Sequence, residues 1–160
     1  MSQSARKWDK VSASIMFRGR SKHALDDKGR LAIPARFKEV LRQKQNDCLV
    51  LTNHDKCLWA FAQEDWRRIE ERAANMPKLD PMVNSFYRYF ISGAQECPLK
   101  QGRITIPPDL RALSGLKKEV VLVGGLRLFE IWDKDLWDEE FERAKESFPQ
   151  VSQNLLDIGI

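Results

Sequence analysis

Residues 23–41, HALDDKGRLAIPARFKEVL, return in altered form at residues 97–116, CPLKQGRITIPPDLRALSGL. Gly29-Arg30-Leu31-Ala32-Ile33-Pro34 aligns with Gly102-Arg103-Ile104-Thr105-Ile106-Pro107 at an offset of 73. Further on, Leu49-Val50-Leu51 corresponds to Val120-Val121-Leu122, and Trp66 to Trp137, now at an offset of 71. A chain made of two copies of one short unit must fold as two similar halves, and each local assignment has to hold twice.

Each unit reads as strand, tight turn, strand and short helix. His23 to Leu25 is a short extended run. Asp26-Asp27-Lys28-Gly29 is a turn, because aspartate tolerates turn conformations and glycine accepts positive φ. Leu31 and Ile33 alternate with Arg30 and Ala32, the period of a strand. Pro34 fits the first position of a helix and biases Ile33 towards extended geometry. Phe37, Val40 and Leu41 give that helix one apolar side, and Ile104, Ile106, Pro107, Leu110 and Leu113 repeat the scheme. Strands this short do not bury an apolar face alone. Two interleaved copies that close a small shared barrel would also remove their exposed edges.

The 160 residues suffice for one domain or two small ones with a sizeable core. Apolar residues make up 42% and charged residues 31%, an ordinary globular balance. No apolar run approaches the ~20 residues of a membrane span, and the N-terminal stretch has no apolar signal region, so a cytoplasmic chain is expected. Cys48, Cys57 and Cys97 form an odd set without CxxC spacing, which points to reduced structural thiols rather than a metal site.

Charge is unevenly placed. Residues 1–45 hold 12 Lys/Arg against 4 Asp/Glu, and the rest of the chain holds 15 against 19. A basic end attracts polyanions, of which the nucleic-acid backbone is the commonest. A solvated charged face is the plainer alternative.

Five segments follow. Residues 1–15 form a polar, flexible extension, and 16–78 the first repeat. Residues 79–94 form a linker helix, 95–148 the second repeat, and 149–160 a tail. In the first repeat, residues 48–53 and 57–61 make a hairpin, and 64–76 an amphipathic helix with Trp66, Ile69, Ala73 and Met76 on one side. Asp80-Pro81 starts the linker helix. Its apolar face, Val83, Phe86, Tyr87, Phe90, Ile91 and Ala94, packs on the preceding helix or on a neighbouring subunit. In the second repeat, 119–123 and 127–132 make the matching hairpin. Asp133 caps a last helix whose stripe is Trp137, Phe141, Ala144 and Phe148. The tail keeps Val151, Leu155, Leu156, Ile158 and Ile160, either docked on another chain or disordered.

Enzyme chemistry finds little footing. There is no HExxH, GxSxG or GxxxxGK pattern. His23 and His54 are far apart, and His23 reads as a packed or hydrogen-bonded residue. Asp26 and Asp27 are adjacent on a strand end and point to opposite sides. Neither a cofactor nor a metal is expected.

MFRG at 16–19, HALDDKGRLAIPARF at 23–37, ECPLKQGRITIPPDLR at 96–111, VVLVG at 120–124 and FEIWD at 129–133 closely resemble the MraZ family. The resemblance runs from Met16 to about Phe141 and covers both copies. It implies a bacterial transcriptional regulator of α+β class with an AbrB-like swapped-hairpin fold. Two tandem half-barrels would form a pseudo-two-fold small β-barrel with flanking helices. It implies a homo-oligomer, a closed ring, that represses its own division and cell-wall operon. Such a ring binds short direct repeats of double-stranded promoter DNA in the cytoplasm, at the nucleoid. The family's Asp-x-x-x-Arg pattern falls on Asp26 and Arg30, a brace across the turn. Lys28 and Arg30 are then expected at the DNA, Arg18 and Lys22 on phosphates, and Gly29 and Gly102 as structural turn residues. The plainer readings are a salt bridge of Arg30 to Asp26 without DNA contact, and a solvated face for Arg18 and Lys22. In the second copy Leu99 stands four positions before Arg103 and the turn looks one residue short, so Arg103 is the less secure DNA contact. An antitoxin-like or scaffold protein using the same barrel for protein partners is the alternative, since a fold alone does not decide function.

Overall fold

The computed structural model describes residues 15–160. The first copy supplies β1 (Arg20–Ala24), β2 (Arg30–Ala32), α1 (Ala35–Gln43), β3 (Cys48–His54), β4 (Cys57–Ala62) and α2 (Gln63–Ala74). The linker supplies α3 (Pro81–Phe86), continued by a π-helical turn over Tyr87–Ile91. The second copy supplies β5 (Gln95–Pro98), β6 (Arg103–Thr105), α4 (Pro108–Ser114), β7 (Glu119–Gly124), β8 (Leu128–Asp133) and α5 (Lys134–Asp157). The extension expected over 1–15 lies outside the described residues except for Ile15, which packs against the core.

The copies exchange strands. Six strands form one antiparallel sheet in the order β1-β7-β8-β4-β3-β5, and β2 pairs with β6. β1 of the first copy lies against β7 of the second, with His23 opposite Val120. β5 of the second lies against β3 of the first, with Cys97 opposite Leu49. Exchanging the copies leaves this order unchanged. The pseudo-two-fold axis therefore passes between β4 and β8, and between Leu31 and Ile104 at the centre of the ribbon.

The expected closed barrel needs correction. β1 and β5 are the edges of an open sheet, and no ladder among the described residues joins them. The reason is that both short hairpins split. Their first strands enter the large sheet, while their second strands, three residues each, form their ladder with one another. The β2–β6 ribbon thus lies over the core. Its inward side chains Leu31 and Ile104, with Ile33 and Ile106 beyond, are buried. Burying an aliphatic side chain of this size is worth about 1.5–3 kcal/mol. Beneath them the rings of Phe17, Phe37 and Phe129 meet at centroid distances of 4.9–5.2 Å.

Pro34 caps α1 with extended ψ, and the helix begins at Ala35, one position later than the sequence suggests. In the second copy Pro107 takes that capping place and Pro108 opens the helix. The linker is not one regular helix. Asp80 accepts from the Met82 amide at 2.9 Å and Pro81 follows, as expected. The helix then widens. Thr52 Oγ1 donates to the Phe90 carbonyl at 2.6 Å, and Asn53 Nδ2 donates to the Tyr89 carbonyl at 2.9 Å. These buried side chains of β3 satisfy carbonyls in the last turn of the linker helix, which have no partner within a helix that ends there. The aromatic face of the linker is covered by its own chain: Phe86, Phe90, Ile91 and Ala94 pack with Val50, Phe61 and Trp66.

The last helix does not end at Phe148. It runs through Pro149 to Asp157. A proline inside a helix costs about 3 kcal/mol and one hydrogen bond, yet among the described residues nothing covers this part. Phe148, Val151 and Ile158 are exposed. No described helix is long and apolar enough to cross a membrane.

Candidate nucleic-acid interface

The pairing of β2 with β6 decides which side chains share a surface. Arg30 faces Thr105 across the ribbon, and Ala32 faces Arg103. Side chains alternate along a strand, so Leu31 and Ile104 point to the core while Arg30, Ala32, Arg103 and Thr105 are all exposed. Two arginines 73 positions apart therefore stand on one outward face. A cleft of about 460 Å³ along this face is lined by Arg30, Lys100, Gln101, Arg103 and Thr105, with Glu96 as its carboxylate. Backbone bonds beyond the ladder hold the ribbon flat on the turns: the Ile33 amide donates to the Gly102 carbonyl at 3.0 Å, and the Ile106 amide to the Gly29 carbonyl at 2.9 Å.

The two turns differ. The first has three loop residues, Asp27, Lys28 and Gly29, with Gly29 at φ 78°. Its neighbour Arg111 lies so close that a Cβ at Gly29 would fall 2.7 Å from the guanidinium carbon. Asp26 organises this turn. Its Oδ1 accepts the Arg30 amide at 2.8 Å and the Lys28 amide at 2.9 Å, and its Oδ2 accepts Arg30 Nε at 2.5 Å. These bonds, the Arg30 amide first and its guanidinium second, pull the Asp26 carboxyl from its ordinary value down to about 2.

The second turn has two loop residues, Gln101 at φ 53° and Gly102 at φ 75°. Positive φ at both central positions is the type I′ hairpin pattern. The anchoring bonds fix the correspondence. The Leu25 amide donates to the Lys118 carbonyl at 2.8 Å, and the Leu99 amide to the Asp47 carbonyl at 2.7 Å. Leu99 is thus the counterpart of Leu25 and packs against the core. The place of Asp26 is taken by Lys100, which exchanges backbone bonds with Arg103 at 2.8 and 3.0 Å. The turn is one residue short, as the sequence indicates, and the residue at its base is a cation.

The other cations lie elsewhere. Lys28 is exposed at the tip of the first turn. Lys22 is exposed on the edge strand β1 and lines a separate depression with His23, Glu119 and Lys134. Arg18 is exposed just before β1. His23 shares a hydrogen bond with Ser21 Oγ at 2.8 Å, and burial lowers its pKa. Lys100, Gln101 and Thr105 were not singled out in the sequence; only the strand pairing across the copies places them.

A low Asp26 pKa makes a measurable statement. Its folded value is depressed, so the brace is complete above the unfolded value near 3.8 and is lost as pH falls through about 2. The Asp26 side-chain carbon in an NMR titration is expected to move with a midpoint near 2. A midpoint at the ordinary aspartate value would show that the brace does not hold in solution.

A duplicated α+β chain whose halves exchange strands and present two arginines on one short ribbon is a distinct class of fold. Residues 16–88 and 90–158 each match the family described as "MraZ protein, putative antitoxin-like". The chain is 43% identical over 145 residues to the transcriptional regulator MraZ of Syntrophobacter fumaroxidans, covering 90% of this chain and 97% of the relative. Its identity to the transcriptional regulator MraZ of Ligilactobacillus salivarius is 39% over 147 residues, 91% of this chain and all of the relative. That of Desulforamulus reducens is 40% identical over 144 residues, 89% and 99% of the two chains. The chain belongs to the MraZ family.

Proposed function

We propose that the protein is a transcriptional regulator that binds double-stranded DNA through the exposed face of the β2–β6 ribbon and represses its own operon. The observation that carries this reading is Arg30 and Arg103 on one face of a two-stranded ribbon, in a chain whose relatives are named transcriptional regulators. A major groove admits a two-stranded β-ribbon, and arginine to guanine is its commonest specific contact. Arg30 reads a base from a braced position, with Lys28 beside it. Arg18 and Lys22 lie outside the ribbon cleft, where they serve phosphates along the flank.

The swapped-hairpin halves are proposed to assemble into a closed homo-oligomer, which meets several direct repeats at once. Phe141, Ala144, Phe148, Val151 and Leu155 on α5, with Ile158 at its C-terminal cap, are spaced 3, 4, 3, 4 and 3 apart. That is the narrow seam along which helices pair with their own kind. The linker helix, covered by its own sheet, is not needed for this contact.

The test is binding of the purified protein to duplex DNA from upstream of its own gene, as salt is raised. Binding is expected to need at least two repeats. It should weaken with a log–log slope of about −0.9 per phosphate neutralised. A single-repeat duplex held as tightly as the full array, with a flat salt response, would leave the antitoxin-like or scaffold reading in its place.

A further inference from the structure

The ribbon has a near-two-fold backbone but unlike ends. At the first end Asp26 neutralises Arg30. At the second, Lys100 fills the place of Asp26, and neither Lys100 nor Arg103 has an ion-pair partner among the described residues. Three cations and Glu96 therefore share the cleft, with the surplus positive charge at the second-copy end.

We propose that Lys100 and Arg103 form a phosphate clamp and that this clamp sets the direction in which the ribbon lies on DNA. The assignment rests on the DNA-binding reading above. A ribbon with two equal ends would dock on a duplex in either of two orientations related by its axis. Here the ends make different contacts. A braced guanidinium has a fixed direction and suits a base edge. Two unbraced cations at the base of a tight turn suit the phosphate backbone, where a lysine acts as a point charge and orientation matters less. Each protomer then covers a non-palindromic element, with the first copy on the bases and the second on the backbone. Lys100 thereby acts as a positioning residue, selecting one orientation through charge alone.

The experiment compares wild type, Lys100→Ala and Lys100→Asp on a duplex of the upstream region across a salt series. Lys100 is exposed, so thermal melting should be unchanged and separates folding from binding. Lys100→Ala is expected to weaken binding several-fold and to flatten the log–log salt slope by about 0.9 per protomer engaged, while the base preference stays as in wild type. Lys100→Asp writes the acid of the first turn into the second. With a DNA-cleaving iron chelate on Gln101→Cys, wild type should cut the same flank of each element in a two-repeat duplex and Lys100→Asp both flanks. An unchanged slope in Lys100→Ala, or one-sided cutting retained in Lys100→Asp, overturns the clamp while wild-type binding stands. A wild-type protein that holds no duplex overturns the DNA-binding reading and the clamp with it.

Discussion

Replacing Arg30 by alanine is expected to abolish specific DNA binding and leave the assembly whole. The guanidinium is fixed from behind, because Asp26 takes Arg30 Nε and also the Arg30 amide, so the remaining nitrogens point in a set direction. Losing a bidentate contact to a base costs about 1–3 kcal/mol per protomer. Several protomers on one operator lose it together. Arg30 lies in the ribbon, remote in sequence from α5, and its side chain is exposed, so melting and gel-filtration profiles should hardly change. Arg103→Ala should weaken binding less and across all sequences alike, because Arg103 lacks a brace. The measurement is an electrophoretic shift with operator and scrambled duplexes, beside gel filtration. If Arg103→Ala proved the more damaging with the oligomer intact, the base-reading role would belong to the second copy.

The second large effect is expected from cutting the chain after Ser147. The removed segment carries Phe148, Val151, Leu156, Ile158 and Ile160, all exposed. It contributes nothing to the core, so the melting temperature should stay within a few degrees. Its loss takes away the lower half of the α5 seam. Light scattering should show smaller species than the full chain. Affinity for a multi-repeat operator should fall by about 10²–10⁴-fold, the usual gain from linked sites. A truncated protein of undiminished mass would place the contact between copies elsewhere.

Much of the secondary structure was legible because the chemistry is local. The turn at Gly29, the cap at Asp80, the cap at Asp133 and both later hairpins were readable from residue type and period. What escaped is long-range. No local pattern says that β2 leaves its own hairpin to pair with β6. The last turn of the linker is tied down by Thr52 and Asn53, more than 30 positions from the carbonyls they bind. The Glu130 carboxylate accepts from the indoles of both Trp59 and Trp132, at 2.8 and 3.0 Å, an arrangement that exists only after β4 and β8 have met. For the site, the arginines were legible from the repeated Gly-Arg, but their common face was not. Lys100 was hidden because an alignment on Gly-Arg sets Leu99 against Asp26, whereas the backbone aligns on the leucines.

Strand exchange also bears on how the chain is made. Among the described residues β1 pairs only with β7, and Arg20 meets Val123. During synthesis β1 has no partner until about a hundred further residues have emerged, a wait of roughly 5–20 s at ordinary elongation rates. β3 pairs at once with β4, and only its other edge waits for β5. An unpaired strand edge is a template for association with other nascent chains. Arg20 and Lys22 on β1, with Arg18 just before it, place positive charge along the edge that waits longest. Like charge along that edge opposes its pairing with a second nascent chain until the second half arrives.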